Sequence, residues 1–164
     1  FFKTAAKQPW YKNTLFILTA DHTQKSLDQA YLNELGHYRV PLLVFHPQKK
    51  FESINPNQIA QHTDILPTVV DYLNIGTDKV LPFGRSLLDS TNTGSAILFN
   101  GNSHYLVQSE TVTELTPDDK VRFYTFPDLK PASFPAPTAE QKLKAYVQYF
   151  RSGMVNNSLY FNNR

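Results

Sequence analysis

Thr19-Ala20-Asp21-His22 is the sharpest chemical feature of the chain, a carboxylate and an imidazole side by side where an apolar run ends. Residues 14–20 (TLFILTA) form that run, and its near-continuous apolarity predicts a strand buried on both faces. Ligands of parallel α/β sheets gather at the carboxyl ends of strands. There the chain leaves the pleat, so two neighbouring side chains can turn toward one ion. A hard carboxylate beside an imidazole suits Mn²⁺, Zn²⁺ or a similar divalent cation. The plainer reading has Asp21 capping the following turn and His22 simply exposed, since two ligands do not make a site.

The remaining candidates carry weaker signals. His37 lies in the loop before the second apolar run, where it either faces the same sheet edge or is an ordinary loop histidine. His46 follows that run, and a surface position is expected. His62 shares helical spacing with Ile59, Leu66 and Val69, which predicts a packed or capping residue. His104 has no carboxylate near it in sequence. Asp64 suits the first turn of a helix, where a carboxylate is favoured. Arg85 reads as an anion clamp or, more plainly, as a paired surface arginine. No Walker loop, dinucleotide fingerprint, Gly-x-Ser-x-Gly elbow or His-Glu-x-x-His is present, so nucleotide-dependent and serine-hydrolase classes have no support.

The elements that must position these residues begin as α/β. Residues 1–8 read as the end of a helix stopped at Pro9, and a helical turn is expected around residues 27–35. Residues 40–45 (VPLLVF) predict a second buried strand, with Pro41 near its start where the lost donor matters least. Helical spacing of Leu66, Val69, Val70 and Leu73 predicts a helix that starts near Thr63 or Asp64 and stops at Gly76. Strand, crossover, strand and helix in that order favour a largely parallel sheet.

The second half changes character. Residues 95–99, 105–108, 112–115 and 121–126 read as short strands joined at Asn100-Gly101, Ser109-Glu110 and residues 116–120, an antiparallel meander. An irregular, proline-rich connection follows. Thr138 with Gln141 predicts a capping box, opening a helix whose apolar face is Leu143, Tyr146, Val147, Phe150 and Met154.

Composition sets the outer bounds. A chain of 164 residues with 41% hydrophobic and 13% aromatic content predicts one folded domain or part of one, and argues against disorder. A formal charge of +2, with no basic run beyond Lys49-Lys50, disfavours nucleic-acid binding. The absence of Cys excludes a disulfide scaffold, a thiol nucleophile and Cys-ligated zinc. No apolar run approaches the ~18–20 residues that span a bilayer. The opening Phe-Phe-Lys, without an initiator Met or signal h-region, predicts a piece of a longer protein.

Residues 14–22 (TLFILTADH), 39–45 (RVPLLVF), 61–73 (QHTDILPTVVDYL) and 83–87 (FGRSL), in this order, resemble the C-terminal half of the sulfatase family in the alkaline phosphatase superfamily. The nearest branch is the lipoteichoic-acid-synthase-like phosphoglycerol transferases. The resemblance implies the C-terminal part of a mostly parallel α/β sheet with flanking helices over residues 1–90. Over residues 91–164 it implies a small antiparallel subdomain with a terminal helix. By the same resemblance Asp21 and His22 are ligands of a divalent metal (Mn²⁺, Mg²⁺ or Zn²⁺), and His37 is the nearest match to a substrate-binding histidine. Asp64, Pro67 and Thr68 match a signature with a structural role.

The family nucleophile and the acidic ligand of the first strand have no matching segment, so these residues look like the last third of a longer enzyme. The parent implied is a metal-dependent phosphoglycerol transferase or phosphodiester hydrolase working by double displacement, and this chain is expected to be inactive alone. A true sulfatase and a non-catalytic sulfatase-fold binding module are the alternatives. Implied partners are a phospholipid headgroup, a polyanionic glycan or a sulfate ester, and the missing N-terminal part of the same protein. The implied location is the extracytoplasmic face of a bacterial membrane. An uncovered sheet edge predicts a tendency to self-associate.

Overall fold

A computed structural model of the protein describes residues 1–24, 27–28, 31–52, 54–80, 82–91, 93–133 and 137–162. The chain packs as two compact units, Phe1–Glu52 and Ser53–Arg164. Among the described residues no helix is long and apolar enough to cross a membrane.

The first unit holds the short helix α1 (Phe2–Ala5) and two strands, β1 (Phe16–Thr19) and β2 (Leu42–Phe45). Aromatic residues supply its packing. The Phe16 ring meets Phe2 at 5.4 Å, Tyr11 at 5.5 Å and Phe45 at 5.9 Å between centroids. Such edge and tilted contacts add to area burial because ring edges and faces carry opposite partial charge.

Both strands form where apolar runs predict them, but they pair antiparallel, from Phe16↔Phe45 to Thr19↔Leu42. The mostly parallel sheet expected here is therefore not what β1 and β2 build. A parallel neighbour needs a crossover that returns the chain to its starting edge, commonly a helix. Between β1 and β2 the described residues contain 3₁₀ structure and no α-helix, the turn Gly36–Tyr38 among it, so the chain reverses and comes back alongside itself. The turn expected around residues 27–35 lies partly outside the described residues. Nor are the strands buried on both faces: the cross-strand pair Leu18 and Leu43 is 39% and 54% exposed. A ladder of two strands has no further neighbour to cover it. His46, expected at the surface, is buried instead, and its Nδ1 accepts the Gln48 N–H at 3.1 Å.

In the second unit a 3₁₀ turn, His62–Asp64, leads into α2 (Ile65–Tyr72). The helix ends earlier than Gly76. Asn74 takes the left-handed conformation (φ +50°), and the N–H groups of Ile75 and Asn74 close onto the carbonyls of Val70 and Asp71, each at 3.0 Å. That is a Schellman cap, and asparagine tolerates its central position. The strand β3 (Lys79–Val80) follows.

The meander is present as the sequence predicts: β4 (Ala96–Phe99), β5 (His104–Val107), β6 (Thr111–Leu115) and β7 (Val121–Thr125) in consecutive antiparallel order. One face carries Leu106 and Leu115 against Ala139, Leu143 and Val147 of α3 (Pro137–Asn156). The other carries a buried carboxylate, Glu114, which accepts the Tyr124 hydroxyl at 2.8 Å and the Tyr105 hydroxyl at 3.3 Å. Two donors and the Arg122 guanidinium 3.6 Å away compensate the desolvation of that charge.

Because α3 begins at Pro137, Thr138 lies inside the helix and does not serve as its N-cap. Proline suits the first helical position, where its missing N–H has no intrahelical partner to lose. The expected apolar face is also only partly buried. Phe150 and Met154 are 48% and 61% exposed, while Tyr146, Tyr149 and Phe150 surround the Phe83 ring at 5.8 Å each. A last strand, β8 (Phe161–Asn162), pairs antiparallel with β3. The unit is continuous across residue 90: Ile59 bridges to Gly94, and the Gln61 Oε1 accepts the Ile97 N–H at 3.0 Å.

Candidate metal centre

Asp21 and His22 stand two and three residues beyond the end of β1. The Asp21 Oδ1 accepts the backbone N–H of His22 at 2.9 Å, which turns Oδ2 toward the imidazole. Oδ2 and the His22 Nε2 are 3.6 Å apart, and both side chains are exposed. The Nδ1 of His22 lies 2.8 Å from the Thr23 carbonyl. A carbonyl only accepts, so Nδ1 carries the proton, and in the neutral ring Nε2 presents a lone pair. This is the arrangement by which metal-ligating histidines are oriented. The Thr23 carbonyl, followed by the Asp21 carboxylate, holds the His22 pKa above its ordinary 6.5.

The donor set fits a divalent cation. At metal–ligand bonds of about 2.0–2.2 Å, two ligands at a tetrahedral angle stand about 3.4 Å apart. The observed 3.6 Å between Oδ2 and Nε2 matches that bite closely. Among the described residues no group of three or more His, Asp or Glu side chains comes together around a common point. Asp21 and His22 therefore stand as a pair of candidate donors, with no third such side chain gathered beside them among the described residues.

His37 is brought to the same end of the ladder. Its carbonyl accepts the Thr23 hydroxyl at 2.6 Å, so the loop before β2 is tied to the loop after β1. Antiparallel pairing makes this possible, since the start of β2 lies beside the end of β1. The His37 side chain is exposed and joins no metal-holding group with Asp21 and His22 among the described residues. His62 is exposed on its 3₁₀ turn, and His104 stacks on Phe99 at 4.6 Å.

The QHTD and FGRSL segments form one structural staple in the second unit. The Asp64 carboxylate, buried, accepts the Gln61 N–H through Oδ2 and the Arg85 N–H through Oδ1, each at 2.9 Å. The Gln61 side-chain amide and the Thr63 hydroxyl both donate to the Phe83 carbonyl. The Thr68 hydroxyl donates to the Asp64 carbonyl at 2.6 Å and accepts the Leu87 N–H at 2.9 Å. Asp64 and Thr68 thus have structural roles, and Arg85 enters through its backbone. Gln61 is the keystone of this staple, and its only sequence signal is the pattern Gln61-x-x-Asp64, a capping box with the residue types reversed.

Burial raises the Asp64 carboxyl above its ordinary 3.8, against the opposing pull of the Arg85 and Gln61 N–H groups. A folded-state pKa above the unfolded one means that the fold binds this proton more readily. The stability so contributed is full below 3.8 and is lost as pH rises through the elevated folded value. Asp64→Asn cannot accept with its amide nitrogen and is expected to cost about 1–3 kcal/mol. Urea melts of both proteins across acidic pH check this. The gap between them should narrow as pH rises through that window, and a constant gap would contradict the assignment.

A sulfatase family model matches residues 1–75, the segment that contains Asp21, His22 and His37. No curated protein matches the chain. Among solved structures the chain is similar to a protein in the alkaline phosphatase superfamily from Vibrio parahaemolyticus, with a TM-score of 0.76 and 22% identity. That similarity covers 100% of this chain and 40% of the other, so the chain spans well under half of the matched protein's length. Residues 1–75 carry the sulfatase sequence pattern, and the whole chain has a fold shared with part of an alkaline phosphatase superfamily protein.

Proposed function

We propose that this chain is the part of a metal-dependent phosphoglycerol transferase or phosphodiester hydrolase that contributes two ligands, Asp21 and His22, to the catalytic metal. The observation that carries the reading is the local geometry of that pair. Oδ2 and Nε2 stand 3.6 Å apart beyond the end of a strand, and the opposite ring nitrogen is pinned by the Thr23 carbonyl. A divalent cation bound there supplies Lewis acidity toward a phosphoryl or sulfuryl oxygen. The chain's own residues bind and orient. Asp21 presents one carboxylate oxygen, His22 is held in the tautomer that donates from Nε2, and Thr23 keeps the His37 loop beside them.

In this reading His37 borders the substrate, and the nucleophile and remaining ligands come from a preceding part of the same protein. The chain alone then has no turnover. The substrate is a phospholipid headgroup or a comparable polyanionic ester, and the parent works at the extracytoplasmic face of a bacterial membrane. The match of residues 1–75 to the sulfatase model keeps one second reading in view, a sulfuric ester hydrolase.

Sequencing the coding region upstream of Phe1 separates them. The expected result is a segment with a Thr or Ser nucleophile, an upstream acidic ligand and membrane-spanning helices. A Cys- or Ser-type formylglycine motif would move the function to sulfate esters. An in-frame start near Phe1, with nothing catalytic before it, would overturn the enzyme reading.

A further inference from the structure

The antiparallel pairing of β1 and β2 puts the loop that holds Arg39 at the same end of the ladder as the candidate metal centre. The ladder closes with Thr19 opposite Leu42, and His22 lies three residues beyond Thr19 as Arg39 lies three residues before Leu42. The two segments stay together over this interval, because the Thr23 hydroxyl donates to the His37 carbonyl at 2.6 Å. Arg39 follows the turn Gly36–Tyr38 in extended conformation, its N–H bound to the Gly36 carbonyl at 3.1 Å. Its guanidinium lies over the Tyr31 ring, 5.7 Å from the centroid.

An aromatic face steadies a guanidinium through its quadrupole and leaves the N–H donors available. Among the described residues no carboxylate stands within ion-pair distance of Arg39. The residue is exposed. A positioned cation with its donor fork open is the chemistry that recognises a tetrahedral oxyanion bidentately.

We propose that Arg39, held on Tyr31, is an anion-binding residue of this site that takes a non-reacting oxygen pair of a phosphate or sulfate ester. The assignment deepens the proposed function and rests on it for what the anion is attached to. Arg39 acts here as a specificity residue. It favours esters that keep a full negative charge beside the metal pair over neutral ones.

The test titrates the full chain with inorganic phosphate and, separately, inorganic sulfate, each with and without saturating Mg²⁺, following amide shifts by NMR. Saturable binding is expected, weakened at least about tenfold in Arg39→Ala, since hydrogen bonds to a charged group are at stake. Arg39→Lys should fall between, because it keeps the charge and loses the fork. Tyr31→Leu should weaken binding less than Arg39→Ala does. These positions lie outside the buried core, so unchanged melting temperatures confirm that the variants fold.

The ratio of phosphate to sulfate affinity tells which ester class the residue prefers, and Arg39-dependent binding of either supports the proposal. Wild-type binding retained in Arg39→Ala, or no saturable binding of either anion, overturns it. Should the wild type bind phosphate through Arg39 yet bind no Mg²⁺, the anion site stands and the metal reading of Asp21 and His22 falls.

Discussion

Replacing Asp21 and His22 together with alanine is expected to abolish divalent-metal binding by this chain, a loss of more than about 100-fold. Removing a group that merely orients a ligand already costs about 10–100-fold in affinity, and here both ligands themselves go. Calorimetric titration with Mn²⁺ and with Zn²⁺ reads the effect. The wild-type affinity should be weak, because two donors complete only part of a shell. It should also be proton-coupled. The His22 Nε2 binds either a metal or a proton, and the Thr23 carbonyl and Asp21 favour the proton, so affinity rises as pH climbs through the elevated imidazole pKa. His62→Ala is the control: that histidine is exposed on a different unit and should leave the titration unchanged. A double variant that binds metal as the wild type does would remove the two residues from the site. Both positions are exposed, so a loss of folding is not expected to intervene.

The second large effect is expected at Gly84, far in sequence from Asp21 and His22. A Cβ there would overlap the Thr63 carbonyl oxygen, lie 2.7 Å from the carbonyl carbon and come within 3.1 Å of Pro67 Cγ. Backbone cannot yield as a flexible side chain can. Gly84→Ala must therefore push the Phe83–Arg85 backbone away from the turn His62–Asp64. That movement strains the bonds that Gln61 and Thr63 donate to the Phe83 carbonyl, and the Arg85 N–H bond to Asp64. Overpacking and lost hydrogen bonds together are expected to cost about 3 kcal/mol. For a chain of this size the melting temperature then falls by about 6–12 °C. Gly76→Ala is the informative comparison. Nothing lies within 4 Å of a Cβ at that position, and such a change in open space is expected to be neutral or stabilising by up to about 1 kcal/mol. Equal melting of Gly84→Ala and wild type would show that the staple does not limit stability.

The two effects separate the roles of the motifs. Asp21 and His22 are exposed and bonded mainly to their own backbone neighbours, so their substitution should change binding and leave the fold intact. Gln61, Asp64, Thr68 and Gly84 are woven into one another, so substitution there should change stability first.

Local pattern by itself determined much of this protein. The apolar runs near residues 14–20 and 40–45 contain β1 and β2, helical spacing after Asp64 is α2, and alternating runs with turn residues between them are the four-stranded meander. Each of these signals is read within a few residues, because side-chain periodicity and turn chemistry act locally. The Asp21-His22 pair was legible for the same reason, as a polar step at the end of an apolar run.

Tertiary structure alone decided the rest. The direction in which β2 pairs with β1 depends on how the intervening segment returns, and no residue within either strand records it. Burial likewise depends on what lies across from a residue. His46 and Glu114 are polar in sequence yet buried, while Leu18, Leu43, Phe150 and Met154 are apolar and exposed. The cap at Asn74, in place of Gly76, was set by where the Schellman hydrogen bonds closed. The loop before β2 comes to the Asp21-His22 end of the ladder only because β1 and β2 pair antiparallel and the Thr23 hydroxyl donates to the His37 carbonyl. Sequence separation says nothing of such neighbours, because they are made by the path of the chain and not by the residues beside them.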